Sequence, residues 1–234
     1  LKMTNNNQDR IQTYSESKNT FLYSIIKKIT INARQQFFTK FLKLTNYQIE
    51  NSVLDIGTTP SKDDEQNIFL ENTKNNVNIT CISNQDCRIL KNKFPNVRDF
   101  VIGDGKKTKF LDNSFDIVHS NATIEHVGSF INQSMFIQEC IRISKKFVFI
   151  QTPNRYYPID FHTTIPLIHW LPKKIHRKIL SLIGLKFYSL EENLNLMSKK
   201  DLEKICKNLK VRNFKILKQN LLFFTSNLIL FIEK

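Results

Sequence analysis

The sequence predicts an α/β protein: a doubly wound, mostly parallel sheet of seven strands that ends in a C-terminal antiparallel hairpin and carries a helical insert. Three observations predict it. Short apolar runs alternate with segments of helical spacing from Val53 to Gln151, which argues for right-handed βαβ units. The run Asn51-Ser-Val-Leu-Asp-Ile-Gly-Thr-Thr-Pro60 reads as a buried strand over 52–56 that breaks at Gly57 and carries Asp55 near its carboxyl end. Two closely spaced runs, 214–218 and 222–232, read as a hairpin that adds an antiparallel edge. At 234 residues and 41% hydrophobic content, the chain can bury the core of one such domain.

Each element follows in order. Apolar positions at helical spacing over 20–44, among them Phe21, Ile25, Phe37 and Phe41, predict one long helix or two joined near 30–32. An acidic start at 61–64 suits a short helix over 63–74. Strands are expected at 77–82, 97–102, 114–119 and 146–151, with helices over 85–93 and 122–144 between them. Pro153, Pro158, Pro166 and Pro172 mark 152–185 as a broken, loop-and-helix stretch, and a last helix is expected at 198–208. The division expected is a polar tail at 1–19 and one domain at 20–234, with an N-terminal helical segment at 20–50 and an insert at 152–197.

Composition narrows the function classes. The net charge of +14 would fit nucleic acid, an anionic membrane face or an acidic substrate. The excess is mostly lysine spread along an Asn- and Ile-rich chain, so a solvated, codon-driven surface is the preferred reading. Cys81, Cys87, Cys140 and Cys206 form no C-x-x-C pair, and no Cys/His cluster has zinc spacing, so reduced thiols and no metal are expected. No run approaches the ~18 apolar residues of a membrane span. Residues 1–10 lack the apolar core of a signal peptide, and cytoplasmic residence is the expectation. Gly57 is followed by Thr-Thr-Pro, so the turn is not the G-x-G-x-x-G of a dinucleotide fold.

Five pieces then occur in order across about 100 residues, each at a predicted strand end. They are Val53-Leu-Asp-Ile-Gly57, Gly103-Asp-Gly105, Phe110-Leu-Asp-Asn-Ser-Phe-Asp116, Ile117-Val-His-Ser-Asn121 with Ile124-Glu-His-Val127, and Phe147-Val-Phe-Ile-Gln-Thr-Pro153. In this the sequence resembles the Rossmann-like class I S-adenosylmethionine-dependent methyltransferases. Thr58-Thr-Pro60 and Thr152-Pro-Asn-Arg-Tyr-Tyr-Pro158 are similar to a bacterial small-molecule subgroup of that family.

The resemblance implies S-adenosylmethionine as cofactor and assigns residues to it. Asp55 would order the loop around the methionine part, Gly57 would allow close approach, and Thr58 and Thr59 would line the loop. Asp104, between Gly103 and Gly105, would meet the adenine amino group. Ser120 and Asn121 would lie beside the sulfonium and the substrate. The family's ribose-binding acid falls at Ser83 or Asn84, neither acidic. Asp86 could take that role or could serve as a helix N-terminal acid.

On the acceptor side, His126 and His162 are the candidate general bases, because imidazole titrates near neutrality. His169 is a third candidate, and Tyr156 and Tyr157 could shape the pocket. The apolar, basic stretch 165–179 would form a lid over the acceptor, and can also be read as contacting a membrane or a lipid-linked acceptor. The function expected is methyl transfer to an oxygen or nitrogen of a small-molecule or lipid- or glycan-linked acceptor. An RNA methyltransferase and a non-catalytic protein keeping the fold are the alternatives. Nucleic acid is not the expected partner, because His119-Ser-Asn-Ala is not the Asn-Pro-Pro-Tyr type that acts on bases.

Overall fold

The structure, a computed structural model, describes residues 21–61, 66–221 and 223–234, with side chains from residue 32 onward. The expected tail at 1–19 and part of the expected helix at 63–74 lie outside the described residues.

Seven strands form one sheet: β1 (Val53–Ile56), β2 (Ile79–Ser83), β3 (Asp99–Ile102), β4 (Phe115–Asn121), β5 (Ser144–Pro153), β6 (Phe214–Leu221) and β7 (Phe224–Glu233). Their spatial order is β3-β2-β1-β4-β5-β7-β6. The first five are mutually parallel, β7 runs antiparallel to β5, and β6 antiparallel to β7. Only β7 therefore runs against the rest. β1 leaves its edge of the chain order to sit in the middle, flanked by β2 and β4, so the direction of winding reverses beside its carboxyl end. Ligands bind at that switch point in open α/β sheets.

The central strands are buried on both faces, which is why they read as continuous apolar runs. Successive side chains point to opposite faces. Leu54, Ile56 and Ile82 pack with Phe136, Ile137 and Cys140 of helix α3 (Phe130–Ile143) and with Leu202 and Ile205 of α6 (Lys199–Asn208). Val53, Ile79, Cys81 and Ile117 pack on the other face with Phe37 and Phe41 of α1 (Phe21–Thr45) and with Phe69 and Leu70 of α2 (Ile68–Asn72). The two layers fix the sheet, and the loops at its carboxyl edge are left for the site.

The elements depart from expectation where backbone geometry intervenes. The helix expected over 122–144 is divided into a 3₁₀ turn (Ile124–His126) and α3. Gly128 sits between them at φ 97°, and Ser129 caps α3 by accepting from the Asn132 amide. Residues 85–93 give only a 3₁₀ turn, Arg88–Asn92, and α1 is a single helix. In the insert, a 3₁₀ turn (Ile168–Trp170) precedes α4 (Lys173–Leu182) and α5 (Lys186–Ser189). Ser198 and Asp201 close a capping box at the start of α6.

Candidate active site

β1 delivers Asp55 to the carboxyl edge already occupied. Its Oδ2 accepts from the Thr58 hydroxyl at 2.7 Å, and its Oδ1 accepts from His119 Nδ1 at 2.6 Å. His119 lies opposite it on β4 and stacks on Phe69 with ring centroids 3.9 Å apart. Asp55 thus holds the loop and the neighbouring strand together. Gly57 follows at φ 99°, and a Cβ there would fall 1.9 Å from Thr123 Oγ1. Beyond it, the Asn67 amide donates to the carbonyls of Thr59 and Ser61, both at 3.0 Å, and its oxygen accepts from the Thr59 amide at 3.3 Å. Asn67 sits at the start of α2 without capping it, because its side chain is spent on this loop.

At the ends of β2 and β3, Ser83 accepts from the Gln85 amide, and the Asp86 carboxylate is gripped by Arg88 through two nitrogens at 2.9 and 2.6 Å. The Arg88 hydrogen bonds pull the Asp86 carboxyl down to about 2. Asp104 is exposed and pairs with Lys106 at 3.0 Å. The glycines beside it are demanded by packing underneath. A Cβ on Gly103 would meet Ile82 at 2.9 Å, and one on Gly105 would meet Ile56 and Phe136 at 2.8 Å. At the end of β4, the buried Ser120 hydroxyl donates to the Ile56 carbonyl at 2.9 Å. The Asn121 Oδ1 is buried without a hydrogen-bond partner. Of the residues assigned by resemblance, Asp55, Thr58 and Ser120 serve the scaffold and the exposed Asp104 holds Lys106 through both oxygens, whereas Asn121 Oδ1 is left without a partner.

A second cluster forms where the turn after β4 meets the insert. His126 Nδ1 donates to the Asn193 carbonyl at 2.7 Å, and His162 Nδ1 donates to Asp160 at 3.1 Å. The two Nε2 atoms face each other at 3.1 Å. Buried Glu125 accepts from Thr152 at 2.9 Å on one oxygen, and its other oxygen lies 3.9 Å from His162 Nε2. Burial alone would raise the Asp160 carboxyl, but hydrogen bonds from His162 and Thr163 outweigh it and hold the group well below the usual carboxylate range. Asn195 stitches the insert down, receiving at its carbonyl from Gln133 and donating to the Gly128 carbonyl, both at 2.7 Å. His169 stands apart, buried, with Nε2 on the Tyr157 carbonyl at 2.6 Å. Tyr157 is buried against Phe161, and Tyr156 is exposed.

The sequence named His126 and His162 but not their meeting, since 36 residues separate them. Asn67, His119 and Thr123 carried no signal of their own: their partners are brought in by the strand order and the loop path.

The profile of a methyltransferase-domain family matches residues 54–149. Among solved structures, the chain is similar to a SAM-dependent methyltransferase from Archaeoglobus fulgidus, with 15% identity, TM-score 0.57, and coverage of 92% of this chain and all of that one. It is similar to magnesium protoporphyrin IX methyltransferase from Synechocystis with bound S-adenosylhomocysteine (14% identity, TM-score 0.56, 92% and 87% covered). A third is a phosphoethanolamine N-methyltransferase from Haemonchus contortus (14%, TM-score 0.54, 79% and 39% covered). A search among curated proteins found no match.

The residues present fit S-adenosylmethionine at two points. The unpartnered Asn121 Oδ1 suits an N–H donor, and the Asp104 carboxylate at the rim suits an amino group. At the end of β2 the fit is looser, because Asp86 is tied to Arg88 and leaves Ser83 and Asn84 as the polar side chains there. The stretch 54–149 matches a methyltransferase domain, and the sheet that carries it has the fold of solved S-adenosylmethionine-dependent methyltransferases.

Proposed function

We propose that the chain methylates an oxygen or nitrogen of a small-molecule acceptor, with Asp104, Asn121 and the Gly57 loop holding the cofactor and His126 and His162 facing the acceptor. The observation that carries this reading is the His126–His162 pair. Each ring is pinned through its Nδ1 to an acceptor, so each neutral ring turns an unprotonated Nε2 into the same space. When bound, S-adenosylmethionine supplies a methyl group on a sulfonium. As the acceptor's oxygen or nitrogen took that methyl group, one Nε2 would receive the proton the acceptor gives up. The chain otherwise contributes alignment and exclusion of water, which suits an in-line displacement. The insert at 152–197 acts as the lid.

A finer reading concerns the surface of that lid. Ile175, Leu182, Ile183 and Phe187 are exposed, and Lys174 and Lys178 stand exposed on the same helix, α4, or its flank. A basic, apolar helix surface of this kind suits peripheral contact with an anionic membrane and hence a lipid-linked acceptor. Among the described residues no helix is long and apolar enough to cross a membrane.

The test is incubation with methyl-labelled S-adenosylmethionine and, separately, a small-molecule extract, a lipid extract and total RNA. Label entering the small-molecule or lipid fraction, and lost in His126→Ala, supports the proposal. Label entering only RNA would overturn it.

A further inference from the structure

We infer that Glu125, His126 and His162 form a binding site for a divalent transition-metal ion of the zinc class. Their ligand atoms lie within 4.8 Å of one another. The Asn193 carbonyl can only accept, so His126 carries its proton on Nδ1; the Asp160 carboxylate likewise keeps the proton of His162 on Nδ1. Both Nε2 atoms are then lone-pair donors, set 3.1 Å apart with no hydrogen between them. Two acceptors at that distance repel unless something positive lies between.

An ion fits the spacing. Two nitrogens each about 2.0–2.1 Å from one ion, at a roughly tetrahedral angle, stand a little over 3 Å from each other. The carboxylate oxygen of Glu125 that faces this point, 3.9 Å from His162 Nε2, is buried and has no hydrogen-bond partner. A contraction of the cluster, whose ligand atoms now span up to 4.8 Å, would bring it into the shell. Leaving such an oxygen unpaired is costly, and an ion satisfies it.

Charge points the same way. Glu125 and Asp160 have fully buried side chains, and the ion pairs they make among the described residues are with His162 alone. A divalent ion at this point would place positive charge beside both buried carboxyl groups. The outer contacts complete the pattern. A ligating histidine characteristically donates its other N–H to a carboxylate or carbonyl, as His162 does to Asp160 and His126 to Asn193. Two histidines and one carboxylate are the ligands of open, reactive sites, which keep a position for water or substrate. No spacing in the sequence announces this set, because the ligands come from the turn after β4 and from the insert.

The site stands on this geometry alone. Only its consequence rests on the proposed function: with both Nε2 lone pairs spent on the ion, the ion in place of an imidazole base would hold the acceptor's oxygen or nitrogen and lower its pKa. The experiment titrates untagged, chelator-treated full chain with Zn²⁺ by calorimetry and with Co²⁺ by visible absorption, and measures S-adenosylmethionine binding on the same samples. The expected result is a single site with visible Co²⁺ bands lacking thiolate character. His126→Ala and His162→Ala should each weaken it by more than roughly 100-fold, and Asp160→Asn, which changes a positioning residue, by roughly 10–100-fold. Unchanged melting and cofactor affinity in these variants would show that folding is not the cause; if His162→Ala unfolds, Glu125→Gln supplies the same readout. No binding of either ion at high micromolar concentration, a cysteine thiolate band, or binding that survives loss of both histidines would overturn the site. In the first case the 3.1 Å contact is a proton shared by two imidazoles. Absence of metal binding by the unaltered chain, with cofactor binding intact, refutes the site and leaves the methyltransferase reading standing.

Discussion

Gly57 is the residue on which the loop after β1, proposed to hold the cofactor, turns. Its φ of 99° is costly for any residue with a Cβ, by about 1–2 kcal/mol, and the Cβ would also run into Thr123 at 1.9 Å. Gly57→Ala should therefore lower stability by at least that amount and weaken cofactor binding more than it lowers the melting temperature would explain; a variant with wild-type stability and affinity would show that the turn is not strained. His176 offers a second prediction at this scale. Burial first, then His169, Arg155 and Arg177, lower its pKa from 6.5 to about 4, against the pull of Asp160, and its Nε2 is buried without a partner. The folded state thus prefers the neutral ring. Between pH 6.5 and about 4 the unfolded chain binds the extra proton, so the stability present above pH 6.5 falls as pH drops through this window, by on the order of 1–3 kcal/mol. Denaturant midpoints measured from pH 7.5 to 4.5 should show the fall, and His176→Leu should reduce it. A fall of equal size in the variant would place its cause elsewhere.

At the scale of elements, α4 carries the prediction. Its buried side is His176 and Leu180, and its exposed side presents Lys174, Ile175, Lys178 and Leu182. The protein should sediment with vesicles of phosphatidylglycerol and phosphatidylcholine at low salt and release as salt rises, and Lys174→Glu with Lys178→Glu should abolish it. Binding that ignores both charge and salt, or no binding at all, would contradict a docking role. The strands and the hairpin were legible because their apolar runs and period-2 alternation survive in a single sequence. The division of the expected 122–144 helix was not. Gly128 lies within a segment whose apolar spacing continues across it, and only its φ of 97° shows the break. That break matters, since it turns Glu125 and His126 toward the insert. The Asp55–His119 contact was hidden for a related reason: 64 residues apart, the two meet only because β1 and β4 are neighbours.

For the whole molecule, the sheet order places the carboxyl ends of β1 and β4 side by side at the switch point, and the two candidate ligand regions flank it. The proposed cofactor half was readable as five short pieces in order, whose spacing the strand-and-loop path imposes. The proposed acceptor half was readable only as separate histidines, because the insert that brings them together has no periodic signal. The charge of +14 does not settle the partner, since lysines dispersed over a surface bind anions weakly and without selection. Isothermal titration with S-adenosylmethionine and S-adenosylhomocysteine decides whether the strand ends bind the cofactor. Saturable binding of both at a single site is expected, weakened about 10- to 100-fold by Asp104→Ala through loss of a charged hydrogen bond. No heat from either compound at high micromolar concentration, or full affinity in Asp104→Ala, would contradict it.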